Sequence, residues 1–377
     1  MATTTKGVLA VWMIAVSVLS AQQDPMPHFA VPTVLKAEPV SDWNAKFAGK
    51  EGWIGGDGVY SLALDRQRVL WFFGDTLLGA VKEGKRVGAV MVNNTVGVQT
   101  GQGKDIVIRF CAGEGRDKKP TSIFLPPDGK GWFWPQAAAP VGDRVAVFLA
   151  QIDKSQESGV FGFRQLAQWL AVIENAADEP LHWRMKYHKI PFAQFTPTRA
   201  QSWGSAALAD GKHLYIYGFQ EQGKMKRRKL LAARAPADNW TDFASWRFRT
   251  VDGWSANAAE AAPLASGLAT EFSVSRLPDE KGYALVYTEN GLSDRIMARW
   301  ASTPAGSWSD PVLLYRCPEM AKDKGVFCYS AKAHPWAVKN NELLVSYCVN
   351  TWEFARLFAE EKVYRPQFVR IKLRPSK

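Results

Sequence analysis

The segment GGDGVYSLALDRQRVLWFFGDT, residues 55–76, predicts the fold of this chain. It is typical of a β-hairpin, because two apolar stretches flank a short polar turn and glycine and aspartate stand at both outer ends. Pairing the two strands about Arg66 places Leu62 opposite Leu70 and, at the open end, Asp57 opposite Asp75. The hairpin therefore predicts two carboxylates side by side at the end of a buried strand.

Four further hairpins share this layout, in which an intensely apolar second strand ends on a polar residue. The five second strands read RVLWFFGD (68–75), RVAVFLAQ (144–151), HLYIYGFQ (213–220), YALVYTEN (283–290) and ELLVSYCVN (342–350). The segments RAPADNW (234–240) and STPAGSW (302–308) also repeat a proline and a tryptophan at matching positions. Self-similarity of this kind indicates repeated structural units.

Five units, each expected to be a four-stranded sheet, predict an all-β, five-bladed β-propeller, with a β-sandwich as the alternative. Residues 68–73 are apolar on both faces, as sheets packed between neighbours require. One stretch, Arg164–Asn175, has helical periodicity, but its alternation also suits a strand. We expect a signal peptide at residues 1–21, a lead-in at 22–49 and the propeller domain at 50–377.

Directly opposed carboxylates are destabilising, so the pair formed by Asp57 and Asp75 suggests a function. Burial and repulsion would raise the pKa of one carboxyl group and leave the other ionised, which is the division that glycoside hydrolysis needs. Two structural alternatives remain open: a shift of one residue in register would put the aspartates on opposite faces, and either could cap a turn. The candidate catalytic residues are Asp57, Asp75 and Glu271.

The spacing of the aspartates recurs in other hairpins. It separates Glu271 from Glu289, Ser202 from Gln220, and Lys332 from Asn350. Because the inner strands of a propeller converge on its axis, these positions predict a polar mouth with aromatic entrances, which suits a sugar. The residues expected to bind the substrate are Trp134, Gln136, Ser202, Trp203, Glu289, Lys332, His334 and Asn350.

The composition is that of a folded, basic protein: 47% of the 377 residues are hydrophobic and the net charge is +11. A basic surface attracts polyanions. The one dense run, KMKRRK at 224–229, is either a solvated hairpin tip or an anion-binding patch. No helix-turn-helix, zinc-finger or RNA-binding signature accompanies it, so we expect a carbohydrate partner, acidic sugars included, and no nucleic acid.

The N-terminus is typical of an export signal. Lys6 precedes the apolar run Gly7–Leu19, and the small residues Ser20 and Ala21 follow. Such a run is too short for a permanent transmembrane helix. We therefore expect a periplasmic or secreted monomer without a stable membrane anchor.

The four cysteines predict no metal centre. Cys317 and Cys328 bracket one loop and could form a disulfide, whereas Cys348 lies in an apolar strand and is expected to be a buried thiol. The chain has no CxxC or HExxH motif and only five histidines. We expect neither a metal nor another cofactor.

The first hairpin, MVNNTVGVQ (91–99) and YSAKAHP (329–335) with LLVSYCVN resemble a bacterial family long catalogued as a domain of unknown function. Some of its members are endo-D-arabinanases. The chain is also similar, over most of residues 50–373, to the five-bladed propeller glycosidases that include arabinanases and β-xylosidases. The resemblance implies that Asp57 and Asp75 are catalytic and that Lys332, His334 and Asn350 line the site. Some propeller glycosidases hold a structural calcium, but no acidic calcium-loop spacing occurs here.

Residues Asn93-Asn94-Thr95 within this resemblance fit a glycosylation sequon, a turn, or the polar edge of the site. The leading hypothesis for the whole chain is an exported, arabinanase-like glycoside hydrolase with paired carboxylates. The alternatives are a non-catalytic carbohydrate-binding propeller and a protein-interaction propeller of the cell envelope, because propellers host many functions.

Overall fold

The computed structural model describes residues 31–157, 159–223, 227–277, 282–337 and 341–374. Over these residues the chain is all-β, as the sequence predicts. The expected signal peptide lies outside the described residues, as do residues 224–226 of the basic run. No described helix has the length and apolar character needed to cross a membrane.

The strands form a long succession of hairpins. In chain order they are β1 (Thr33–Pro39), β2 (Glu51–Gly56), β3 (Tyr60–Ala63), β4 (Arg68–Phe73), β5 (Thr76–Lys82), β6 (Lys85–Val92), β7 (Thr95–Thr100), β8 (Val107–Cys111), β9 (Gly113–Glu114), β10 (Pro120–Thr121), β11 (Trp132–Val141), β12 (Arg144–Lys154), β13 (Phe163–Ile173), β14 (Met185–Lys189), β15 (Gln194–Phe195), β16 (Arg199–Asp210), β17 (His213–Gln222), β18 (Arg228–Pro236), β19 (Arg247–Arg249), β20 (Trp254–Ser255), β21 (Ala265–Leu268), β22 (Phe272–Arg276), β23 (Tyr283–Thr288), β24 (Arg295–Ala301), β25 (Val312–Arg316), β26 (Val326–Ala333), β27 (Glu342–Thr351) and β28 (Arg365–Arg374). The α-helices of the described residues are α1 (Ser41–Lys46), α2 (Glu319–Lys322) and α3 (Phe354–Ala359).

Most neighbouring strands in the larger sheets are consecutive in the chain, except where β4 pairs with β7 and β1 pairs with β28. Four-stranded sheets have the orders β3-β4-β7-β8, β11-β12-β13-β14, β22-β23-β24-β25 and β1-β28-β27-β26. A seven-stranded sheet runs from β15 to β20, with β21 paired to β18, and smaller sheets join β2-β5-β6 and β9-β10. The stretch with helical periodicity forms β13, so its alternation was the better guide.

The N-terminal segment belongs to the sheet that ends the chain. Strand β1 pairs antiparallel with β28, and Val40 donates a backbone hydrogen bond to Phe368 at 2.9 Å. Trp43 of α1 and Phe47 pack in the same core cluster as Trp71. Residues from 33 onward are therefore part of the folded domain, and the expected lead-in is shorter than residues 22–49.

The first hairpin has the predicted register. Leu62 pairs with Leu70, and the carboxylate of Asp65 accepts hydrogen bonds from the amides of Gln67 and Arg68 at 2.7 and 2.9 Å. An aspartate that bonds its own backbone in this way favours a tight turn. The register follows from local chemistry, which explains why the sequence predicted it.

Strand β4 is buried on both faces. Leu70 and Phe72 pack into a core cluster shared with β11 and β12, whereas Trp71 and Phe73 pack against α1 and β28. All four side chains are fully buried. The sheet therefore lies between two cores, as its apolar sequence predicted.

The registers expected for the third and fourth hairpins are wrong by one residue. Gln201, and not Ser202, pairs with Gln220, and a β-bulge between Trp203 and Ala206 changes the register along this hairpin. In the fourth hairpin Phe272 pairs with Tyr287, so Glu271 and Glu289 are not opposed. A slip of one residue puts side chains on opposite faces of a sheet.

The register expected for the last hairpin is also wrong. Lys332 pairs with Ser346, while Asn350 pairs with Phe327, and a bulge between Tyr329 and Lys332 shifts the ladder by one residue. Bulges of this kind leave no mark in an apolar–polar pattern. The recurring spacing in the sequence therefore does not mark opposed residues outside the first hairpin.

The leading strands of the five larger hairpins pack against one another in succession. Strand β3 contacts β11, β11 contacts β16, β16 contacts β22, and β22 contacts β26. Strand β26 returns to the first hairpin, where Ser330 donates a hydrogen bond to the carbonyl of Gly58 at 3.3 Å. This succession brings residues distant in sequence to the aspartate pair.

Candidate active site

The backbones of Asp57 and Asp75 are joined directly. The amide of Asp57 donates a hydrogen bond to the carbonyl oxygen of Asp75 at 3.3 Å, and the amide of Gly74 donates one to the carbonyl of Asp57 at 3.0 Å. Asp57 lies between β2 and β3, and Asp75 follows β4. Both side chains are half-buried. The structure thus brings the two predicted carboxylates together at the end of the first hairpin.

The backbone next to Asp57 adopts a rare conformation. Gly58 has φ = +81° and Val59 has φ = +51°, in the left-handed region that β-branched residues seldom occupy. The amide of Val59 donates a hydrogen bond to the carbonyl of Asp57 at 3.0 Å, and Ser330 holds the carbonyl of Gly58. Such outliers persist where the surrounding structure imposes them, and they cluster at functional sites.

Position 74 requires glycine because the side chain of Asp57 leaves no room for a Cβ atom there. A Cβ at position 74 would lie 2.6 Å from Oδ1 of Asp57 and 3.6 Å from Cδ1 of Trp134. Real Cβ contacts are not so short, so any larger residue would displace the carboxylate. The glycine in FFGDT therefore gives Asp57 room beside Trp134.

Asp57 is surrounded by groups that favour its protonated form. Burial, followed by the charges of Asp75 and Glu271, raises its pKa to about 8. The hydroxyl of Tyr329 donates a hydrogen bond to its Oδ2 at 2.6 Å, and this bond and one with Tyr364 act in the opposite direction. At neutral pH Asp57 therefore holds a proton that it can donate.

Asp75 has a different environment. Its Oδ1 accepts hydrogen bonds from Nδ2 of Asn93 at 2.9 Å and from Nε1 of Trp134 at 2.7 Å. Burial raises its pKa to about 6, and these two donors limit the rise by stabilising the carboxylate. The pair thus consists of one acid and one carboxylate near neutral pH.

Glu271 lies close enough to Asp57 to raise its pKa, and it is paired with a buried cation. Nζ of Lys332 lies 3.5 Å from Oε1 of Glu271 and donates a hydrogen bond to the carbonyl of Ser330 at 3.0 Å. Lys332 is 1% exposed and its ammonium lies 4.1 Å from the centroid of the Tyr60 ring. Of the two paired side chains, Lys332 is therefore enclosed in the interior and Glu271 is partly exposed to solvent.

Tyr60 provides an unused polar atom in this region. Its hydroxyl is buried and has no hydrogen-bond partner among the described residues. Burial and the charges of Glu271 and Asp57 raise its pKa well above the usual range. A buried polar group without a partner is costly, so this hydroxyl is a candidate partner for a buried water molecule.

Of two other residues predicted to bind the substrate, Asn350 lies near Asp57 and Glu289 forms an ion pair elsewhere. Nδ2 of Asn350 lies 3.4 Å from the Tyr329 hydroxyl, so this residue joins the Asp57 side of the site. Glu289 forms an ion pair with Arg295, N to O 3.0 Å, at the end of the fourth hairpin. The structure records no contact between Glu289 and the aspartates.

His334 is a packing residue in this structure. Its Nδ1 is hydrogen-bonded to Ser61 at 2.6 Å and its Nε2 to Ser346 at 2.8 Å, so both ring nitrogens are engaged. The ring packs against Trp71 and Phe368. Burial, with the charge of Lys332, lowers its pKa to about 3, so the ring is neutral. The prediction that His334 contacts a ligand is therefore wrong.

Three more predicted binding residues form part of the interior. Ser202 donates to Gln168 at 3.1 Å, and Gln168 donates to Gln136 at 2.9 Å, in a buried network. Trp203 is fully buried and its Nε1 donates to the carbonyl of Phe192 at 3.3 Å. These three residues therefore stabilise the sheets. Trp203 has no exposed surface for a ligand, so its expected place at an entrance to the site is wrong.

Sequence reasoning missed Tyr329, Tyr364 and, in part, Asn93. Asn93 stood in a segment that was a candidate for the polar edge of the site, and Tyr329 opens the segment YSAKAHP. Tyr364, which has φ = +61°, had no signal in the sequence. Asn94 is structural, because its side chain bonds the carbonyls of Phe124 and Phe133 at 2.9 Å each.

A group of potential metal ligands occurs elsewhere. Cys317, Glu319 and Cys328 each bring one ligand atom within 4.8 Å of the others. All four cysteines are free, so the bridge considered between Cys317 and Cys328 is not formed. Burial raises the pKa of Cys317, which favours the thiol over the thiolate that a metal needs.

The family model for the domain of unknown function DUF5005 matches residues 41–373. The chain belongs to this family. No curated protein sequence matches it significantly. Among solved structures, a candidate hydrolase from Bacteroides ovatus is 18% identical, with a TM-score of 0.70 over 94% of this chain and 97% of that one. This likeness shows that the two proteins share a fold.

Two glycosidases are more distant in structure. The β-xylosidase RS223 is 10% identical, with a TM-score of 0.48 over 92% of this chain and 98% of that one. An α-L-arabinofuranosidase from Podospora anserina, solved with cellotriose, is 11% identical, with a TM-score of 0.46 over 86% and 95%.

Proposed function

We propose that this chain is a glycoside hydrolase in which Asp57 and Asp75 act together. The observation that carries the proposal is their unequal environment: adjacent backbones hold the two carboxyl groups, one favouring its proton and the other its charge. Glycoside hydrolysis needs such a pair on the two sides of the scissile bond. Perturbed carboxyl groups also form ion-pair networks, but here no cation contacts either aspartate within the described residues.

The proposed reaction assigns one role to each carboxyl group. Asp57 donates its proton to the glycosidic oxygen as the bond to the anomeric carbon breaks, so that the leaving sugar departs as an alcohol. Asp75 either attacks the anomeric carbon or removes a proton from the attacking water. Water supplies the new hydroxyl group, and Asp57 is reprotonated at the end of the cycle. Asn93 and Trp134 orient the Asp75 carboxylate.

We propose an arabinan-type carbohydrate as the substrate class. The support is the resemblance of the first hairpin and of residues 329–335 to a family with endo-D-arabinanase members. We propose further that the five larger sheets are the blades of a propeller. The support is that the leading strands β3, β11, β16, β22 and β26 contact one another in succession.

We also propose that the chain is exported and that the mature protein begins after about residue 21. The support is the Lys6 and Gly7–Leu19 pattern. N-terminal sequencing of the protein recovered from the periplasm or medium tests the proposal. A chain that keeps Met1 or Ala2 would contradict it.

The test of the activity is the release of reducing ends from a panel of linear arabinan, mycobacterial arabinogalactan, xylan and polygalacturonate. The wild type should release sugar from at least one arabinan, and Asp57→Asn should not. An Asp143→Asn variant, which removes an exposed carboxylate at a turn, is the matched control. A wild type that cleaves nothing, or an Asp57→Asn variant with near-normal turnover, would overturn the proposal and leave a binding protein as the better hypothesis.

A further inference from the structure

Six aromatic side chains form a continuous arc beside the aspartate pair. We call this arc the aromatic rim, and it consists of Trp134, Phe161, Phe163, Phe327, Tyr329 and Trp352. Its members come from β11, from β13 and the segment before it, from β26, and from the residue after β27. The tertiary structure therefore builds the rim from segments far apart in sequence.

The rings of the rim contact one another in order. The centroids of Trp134 and Phe163 are 4.7 Å apart, and those of Phe163 and Phe161 are 6.3 Å apart. Phe161 lies 5.9 Å from Phe327, which in turn lies 5.5 Å from Tyr329. These are ordinary distances for interacting aromatic side chains, so the rim is one packed surface.

Both ends of the rim bond to the aspartates. Nε1 of Trp134 donates to Asp75 at 2.7 Å, and the hydroxyl of Tyr329 donates to Asp57 at 2.6 Å. If the scissile bond of a ligand lies at the two carboxyl groups, the neighbouring part of that ligand therefore lies beside the aromatic rim.

The middle of the rim is exposed. Phe161, Phe163 and Trp352 are 40%, 36% and 49% exposed. Trp352 is nevertheless held in place, because its ring lies 4.5 Å from that of Phe327 and its amide donates to the carbonyl of Gly325 at 3.0 Å. Contiguous exposed aromatic surface of this kind is typical of ligand-binding grooves.

We propose that the aromatic rim binds the sugar units next to the cleaved bond, so that the substrate is an oligosaccharide or polysaccharide chain. The rim side chains carry no charge at neutral pH, and the apolar C–H face of a sugar ring packs against such rings. The indole N–H of Trp352 adds a hydrogen-bond donor for a sugar hydroxyl. This proposal takes its ligand class from the proposed function.

Affinity electrophoresis tests the rim without requiring cleavage. The Asp57→Asn variant runs in gels that contain linear arabinan, mycobacterial arabinogalactan, xylan or polygalacturonate, and its retardation against concentration gives Kd for each polymer. Adding Trp352→Ala or Phe161→Ala should raise Kd for the retarding polymer about ten-fold, the loss expected for one stacked ring. Adding Phe354→Ala should not, because Phe354 is 50% exposed but its ring contacts Phe358.

The outcomes separate the rim from the catalytic proposal. Retardation of Asp57→Asn that Trp352→Ala and Phe161→Ala weaken supports the rim, even if the wild type cleaves no polymer. Unchanged Kd in both alanine variants overturns the rim, even if the wild type cleaves the polymer. Absence of retardation in all four gels also overturns it. Circular dichroism and thermal unfolding of each variant confirm that the fold is intact, and Asp75→Asn replaces Asp57→Asn if the latter does not fold.

Discussion

The amide of Asp57 donates a hydrogen bond to the carbonyl oxygen of Asp75 at 3.3 Å, so the backbones that carry the two carboxyl groups are joined directly. Their side chains are held by different partners. Tyr329 reaches Asp57, and Trp134 and Asn93 reach Asp75. The shared backbone brings the groups together, and the separate partners give them different proton affinities.

Replacing either aspartate with asparagine should reduce turnover by at least about 100-fold, the lower range for general acid–base catalysis. The double variant should lose little more than the worse single variant, because groups that act as a unit are not additive. Folding should persist, since asparagine has nearly the same size and shape as aspartate and neither change buries an additional charge. Steady-state kinetics and thermal unfolding provide the measurement. Additive losses, or near-normal turnover in either variant, would contradict a joint role.

The pH profile of kcat/KM should be bell-shaped with its maximum between about pH 6 and about pH 8. The acidic limb arises because Asp75, with a pKa near 6, must be ionised. The alkaline limb arises because Asp57, with a pKa near 8, must keep its proton. An activity that stays constant from about pH 5 to about pH 9 would rule out this division of roles.

Gly74→Ala should abolish most activity without unfolding the protein. The new Cβ would lie 2.6 Å from Oδ1 of Asp57 and would displace the carboxylate. Gly253→Ala is the matched control, because no atom lies within 4 Å of its added Cβ. Turnover and melting temperature of both variants give the answer. Equal activity in the two variants would mean that the position of Asp57 does not matter.

Tyr329→Phe should move the alkaline limb of the kcat/KM profile to higher pH. The Tyr329 hydroxyl donates a hydrogen bond to Asp57 and lowers its pKa, so its removal raises the pKa further. Tyr187→Phe is the control, since that hydroxyl bonds Sδ of Met185 at 3.6 Å. A limb that moves to lower pH, or an equal shift in both variants, would contradict this placement of Tyr329.

The Asp57→Asn variant should become more stable relative to the wild type as pH rises from about 4 to about 8. The pKa of Asp57 is raised in the folded state, so over this range the folded protein holds a proton that the unfolded chain lacks. The free energy of unfolding of the wild type therefore falls with pH, whereas asparagine does not titrate. Urea unfolding at several pH values measures the difference. His334 has an opposite dependence, which is common to both proteins and cancels. A constant difference would contradict the raised pKa.

Local chemistry made the first hairpin predictable. Asp65 closes the turn with its own side chain, so Leu62 meets Leu70 and the two aspartates come to the same end. The apolar character of both faces of β4 likewise indicated that its sheet lies between two cores. These features depend on residues close together in the chain, and a sequence pattern records them.

The sequence pattern was a poor guide wherever a bulge or a distant contact decided the geometry. The bulge between Tyr329 and Lys332 changes which residues face each other, and no alternation of apolar and polar residues reveals it. His334 looked like a ligand contact, but Ser61 and Ser346, from two other strands, occupy its ring nitrogens.

The sequence by itself determined the all-β class, the first hairpin and the adjacency of Asp57 and Asp75. Only the tertiary structure decided which carboxyl group keeps its proton. That choice depends on burial and on Tyr329, Tyr364 and Glu271, which come from β26, the residue before β28 and the residue before β22. A pKa is set by every charge and donor within a few ångströms, and those neighbours exist only once the chain has folded.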